Sequence, residues 1–113
     1  MKEIKELSIY ERLYITSLVR GLKGSTEDLE SGLKILKKIT ISEEEAKEIE
    51  LESSNNHFQW DKDKSKSLDV KLEDKDYQYL LTVFTKKDQD ASWEMNELLL
   101  DMIKKVREAK TCD

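Results

Sequence analysis

Apolar residues recur along this chain with two different spacings, and the change from one to the other divides it. Leu7, Tyr10, Leu13, Tyr14, Leu18, Val19 and Leu22 step by three and four, the period that lines up side chains on one face of an α-helix. Ser8 and Glu11 have capping-box spacing, so the first helix is predicted to open there. Gly21 and Gly24 are predicted to close it, since glycine enters the left-handed terminal conformation without a Cβ penalty. Ser25 or Thr26 then caps a second helix bearing Leu29, Leu33, Leu36 and Ile39, with Lys37 and Lys38 at the end that favours cations. So short a connection makes the pair an antiparallel hairpin. Ser42 to Glu45 repeats the capping-box spacing and predicts one or two more turns.

At Lys47 the period becomes two. Ile49 and Leu51 alternate with Glu48, Glu50 and Glu52; Phe58 and Trp60 alternate with His57 and Gln59; Leu68, Val70 and Leu72 alternate with Asp69, Lys71 and Glu73. Each run reads as a half-buried strand. With Asn55-Asn56 as a two-residue turn, Leu51 faces Trp60 and Ser53 faces Phe58. Residues 61–66 then connect strands two and three. Asp74 is the expected cap of a helix carrying Tyr77, Leu80, Leu81 and Phe84 and ending at Lys86-Lys87. Ser92 is the expected cap of a last helix carrying Met95, Leu98, Leu99, Met102, Ile103 and Val106. The predicted class is α+β: an N-terminal helical hairpin plus a short helix, a three-stranded antiparallel β-meander, and two C-terminal helices.

Length and charge narrow this picture. A chain of 113 residues suits one domain, 1–113, with an expected ordered core over 7–107. Charged residues make up 40%, but 25 acids against 20 bases leave a net charge of only -5, so the chain is expected to fold. No run approaches the roughly 18–20 apolar residues of a membrane span, and MKEIKELSIYERLY lacks the apolar core of a signal peptide, which points to the cytoplasm. Cys112 has no partner cysteine and is read as a free thiol on a frayed tail.

Candidate chemistry is sparse. In DKDKSKSLDVKLE, residues 61–73, Asp61, Asp63, Ser65 and Asp69 match positions 1, 3, 5 and 9 of a calcium loop, and Leu68 suits position 8. Lys66 stands where the loop needs glycine and Leu72 where it needs a bidentate glutamate, so the stretch reads as a turn and a strand with no metal. His57 is the one histidine, which leaves no second imidazole for a metal and no marked serine for nucleophilic catalysis. No glycine-rich phosphate loop is present. The expectation is a non-enzymatic protein without a cofactor. Three helices followed by a hairpin are also the order of a winged helix, but its recognition helix would be Glu43-Glu44-Glu45-Ala46-Lys47-Glu48, which phosphates repel. A nucleic-acid-binding regulator using Lys62, Lys64, Lys66 and Lys71 is therefore the disfavoured alternative.

Six carboxylates against one lysine lie between Glu43 and Glu52. Glu43, Glu44, Glu45, Glu48, Glu50 and Glu52 are read as a docking face for a partner protein with a basic surface, because clustered charge steers association. Trp93 is the candidate aromatic anchor. The wide apolar arc of the last helix makes a self-associating structural component, a homodimer, the remaining alternative. The succession ERLYITSLVRGLKG, SEEEAKEIEL, FQWD, a lysine-rich connection and LDVKLEDKDYQYLLTVF resembles small proteins encoded by bacteriophages and prophages of low-GC bacteria. The resemblance implies a phage-type accessory protein acting by binding, as a modulator or inhibitor of a host protein in the host cytoplasm. It carries no catalytic signature and so transfers no functional residue.

Overall fold

The computed structural model describes residues 1–54 and 57–112. Its elements run β1 (Lys2–Leu7), α1 (Ile9–Arg20), α2 (Thr26–Ile39), α3 (Glu43–Glu48), β2 (Glu52–Ser54), β3 (His57–Gln59), β4 (Leu68–Leu72), α4 (Asp74–Gln89), α5 (Glu97–Arg107) and β5 (Lys110–Thr111). The mixture of helices and antiparallel strands is that of an α+β protein.

The meander is replaced by a different pairing. β4 does not join β2 and β3; it pairs antiparallel with β1, which sits at the centre of a sheet ordered β4-β1-β5. β2 and β3 form a separate two-stranded ladder. In β1 a bulge conceals the strand: Ile4 faces Val70 and Leu7 faces Leu68, so Lys5 and Glu6 together oppose Asp69. The extra residue returns Ile4 and Leu7, three apart, to the same buried face, and a period of three hides a period of two. Glu6 takes the left-handed backbone conformation at φ 55°, and its amide donates to Asp69 Oδ1 at 2.9 Å. Asp69 thereby satisfies the donor that the bulge removes from the ladder.

The ends of the chain are more ordered than expected. Ile4 is buried, and Cys112, half-buried and not frayed, donates its amide to the carbonyl of Met1 at 2.9 Å beside β5. The core joins Ile4, Leu7, Val70 and Leu72 of the sheet to Ile15, Ile35, Leu80, Phe84, Met102 and Val106 of the helices. Within β4 the alternation reads as anticipated, with Val70 and Leu72 buried and Asp69 and Lys71 in water.

The starts of α1 and α2 follow their local signals. Ser8 and Glu11 make a full capping box, and Ser25 does so with Asp28. The end of α1 and the starts of α4 and α5 differ from the sequence expectation. Gly21 closes α1 with right-handed angles, φ −82°, and among the described residues the left-handed positions belong to Glu6, Glu50 and Ala91. Glu73, not Asp74, is the cap residue of α4, which continues to Gln89; Asn96, not Ser92, caps α5 by accepting from the Leu98 amide.

Candidate functional site

The acidic stretch begins as a helix. Ser42 accepts from the Glu45 amide at 3.1 Å and opens α3, but the Glu45 carboxylate does not complete the box. It pairs instead with Arg12, whose Nη1 and Nη2 lie 2.5 and 2.9 Å from its two oxygens. Arg12 is only 3% exposed and also donates from Nε to the carbonyl of Ile39 at 2.9 Å. One guanidinium therefore ties α1 to the end of α2 and the start of α3. Glu45 is held by the fold, while Glu43, Glu44 and Glu48 remain exposed.

The strand expected over 48–52 is in its first half a helix end. Glu50 is left-handed at φ 55°, its amide donates to the carbonyl of Lys47 at 3.3 Å, and the Leu51 amide donates to that of Ala46 at 2.8 Å. These are the paired bonds of a Schellman motif. Ile49, which terminates the helix, is buried. The chain leaves this turn as β2, where Ser53 faces Phe58 as the register required. The Asn55-Asn56 turn lies outside the described residues. Glu50 and Glu52 are exposed at the base of this hairpin, which the Asp61 amide fastens to the Ile49 carbonyl at 2.7 Å.

Residues 61–66 fold on themselves. Asp61 Oδ1 accepts from the Asp63 amide at 2.9 Å, and the Asp61 carbonyl accepts from Lys64 and Ser65. Lys64 Nζ lies 3.3 Å from Glu50 and 4.0 Å from Asp61. Asp69 is engaged on β4 with Glu6, away from Asp61. Among the described residues no three metal-ligating side chains gather, and none of the described helices is long and apolar enough to cross a membrane.

Trp93 lies in the connection between α4 and α5, ahead of the last helix, and is half-buried. Its ring meets Phe84 edge-on at 5.4 Å and stacks near Tyr14 at 6.2 Å. Its Nε1 donates to Asp88 Oδ1 at 2.6 Å, and Lys87 lies 5.0 Å above the ring. Asp88 also receives Arg107 from α5, and these two hydrogen bonds, Arg107 first, hold its carboxyl below the usual carboxylate range.

An open groove was not evident in the sequence. Tyr10 and Tyr14, one turn apart on α1, form its floor, and His57, Phe58 and Trp60 form its opposite wall. The tyrosines share the period of core residues and the other aromatics that of a strand's apolar face, so both read as core. The hairpin instead stands outside the three-stranded sheet, and Phe58 is 47% exposed. Two further apolar patches face water: Leu29 with Leu33 on α2, and Met95 with Leu98 and Leu100 at α5. No protein-family model, curated protein or solved structure matches this chain.

Proposed function

We propose that this protein acts without catalysis, docking a basic surface of another protein through the carboxylates that run from Glu43 to Glu52. The observation that supports this reading is the exposure of Glu43, Glu44, Glu48, Glu50 and Glu52 along one continuous segment. Lys64, from the following connection, offsets part of Glu50, and Lys47 is the one cation within the segment. Such an excess of one sign raises the encounter rate with an opposite charge and disfavours nucleic acid. A phage-encoded modulator of a host protein is the setting we propose for it, on the resemblance described above.

The test reverses charge at exposed positions that make no ion pair among the described residues. Capture of proteins from a host lysate by E43K/E44K/E48K should fall about tenfold relative to the parent. The melting temperature should fall by no more than about 5 °C, since the three side chains are exposed and Glu43 and Glu44 give α3 only a first-turn charge interaction. Unchanged capture would overturn the assignment. Glu45 is left intact because its loss would disturb Arg12.

A further inference from the structure

Apolar side chains of α5 point both into the core and out of it. Leu99, Met102, Ile103 and Val106 are buried, whereas Leu100 keeps 52% of its surface in water and Met95, just ahead of the helix, is fully exposed. Both border a hollow shared with Trp93, Leu99 and Ile103. A leucine and a methionine so placed gain from a contact that removes them from water.

Charge selects what covers them. Glu97 stands three positions before Leu100 and Lys104 four positions after it, the steps that put side chains on one face of a helix. Both are exposed, and among the described residues neither makes an ion pair. The neighbouring cations are taken, Lys105 by Glu11 and Arg107 by Asp88. Asp101, next after Leu100, lies about 100° round the helix from it. At 1.5 Å per residue the free acid and the free base lie about 5 Å either side of Leu100 along the helix. Turned end for end, this face is its own complement. A two-fold axis at Leu100 brings each Glu97 level with Lys104 of a second copy and sets the two leucines together, the reciprocal pattern of an isologous contact. The helix dipoles then run in opposite directions, which favours the same arrangement. A partner of one sign would instead leave Glu97 or Lys104 facing a like charge.

We propose that this face of α5 is a contact between two copies of the chain, packed antiparallel about a two-fold axis. Leu100 lies at its centre, Met95 toward its edge, and Glu97 of each copy pairs with Lys104 of the other. One helix face lies at the small end of specific interfaces, so the dimer is weak and reversible. It does not require the docking role proposed above, whose carboxylates lie on α3, β2 and the turn between them.

Sedimentation velocity over a range of protein concentrations tests the contact. The parent should pass from monomer to dimer as concentration rises. E97K and K104E each set like charges together at two symmetric positions, and each should weaken association about tenfold. E97K/K104E remakes both pairs and should recover the parent's behaviour. That recovery cannot come from a steadier helix, because both changes oppose the helix dipole and the double variant carries both. L100Q should also lose the dimer, with little change in melting temperature because Leu100 is exposed. A parent that stays monomeric at every concentration, or single variants that associate as the parent does, would overturn the proposal. So would a folded E97K/K104E that stays monomeric. Association that survives L100Q and disappears in L29Q/L33Q would place the contact on α2 and overturn it as well. E43K/E44K/E48K should dimerise as the parent does, so failure of the acidic face and failure of this one are read apart.

Discussion

Arg12 shows how one residue can join three elements at once. Its guanidinium is withdrawn from water, a position that costs several kcal/mol unless each donor finds an acceptor. Ile39 and Thr40 supply carbonyls and Glu45 supplies two oxygens. The side chain of Glu45 keeps 29% of its surface in water. Glu45→Ala should therefore destabilise by about 2 kcal/mol, less than the roughly 3–5 of a fully enclosed pair. The neighbouring Glu43→Ala should stay within about 0.5 kcal/mol. Chemical denaturation of the two variants checks this; equal effects would show that the ion pair does not hold α3. At this scale the sequence announces that Glu45 can be a helix residue, but not that its carboxylate leaves the capping box, because Arg12 lies 33 positions away.

At the scale of elements, α1, α2 and α3 begin where local capping chemistry dictates, and α3 and α4 end where left-handed residues turn the chain. α4 closes as α3 does: the Ala91 amide donates to Asp88 at 3.0 Å and the Ser92 amide to Lys87 at 3.1 Å, with Ala91 at φ 49°. A residue with a Cβ is strained there by roughly 1 kcal/mol or more, and glycine is not. Ala91→Gly should accordingly stabilise by about 0.5–1 kcal/mol, after the extra freedom glycine gives the unfolded chain. Thermal melting of A91G checks it; a lowered midpoint would contradict the strain argument. These ends explain two missed boundaries. Glu48 to Glu52 alternates like a strand because Ile49 is buried at a helix terminus and Leu51 follows the reversal. In β1 the bulge at Lys5 and Glu6 gives Ile4 and Leu7 a spacing that suits a helix.

For the whole molecule, the radius of gyration is 14.1 Å, slightly above the about 13 Å expected for a compact chain of this length. The β2–β3 hairpin standing off the main sheet fits that excess. The three phenols of Tyr14, Tyr77 and Tyr79 are raised above the ordinary tyrosine value, in each case chiefly by burial. The folded values exceed the unfolded ones, so their contribution is complete below about pH 10 and is lost as pH rises through the folded values. Lys5, hydrogen-bonded to Glu3, and Lys75, hydrogen-bonded to Glu27, shift in the same direction. The melting temperature should fall progressively above about pH 10, and less steeply in Tyr77→Phe, which has no proton to lose. A midpoint independent of pH in that range would contradict this. Tyr77 also donates to the Val106 carbonyl at 2.6 Å, so its phenolate would leave α4 and α5 without that bond.

The sequence by itself determined where α1, α2, α3 and α4 begin to within a residue, which face of β4 is buried, and that Glu43, Glu44, Glu48, Glu50 and Glu52 lie in water. These follow from interactions within a few positions and from the cost of burying charge. Only the tertiary structure decided that β4 pairs with residues 2–7, that residues 110–111 complete the sheet, and that Phe58 and Trp60 face Tyr10 and Tyr14 across an open groove. Alternation states which way a side chain points, not which strand lies beside it. Partners in a sheet are chosen by how all the apolar faces can be covered at once, and that is a property of the assembled chain.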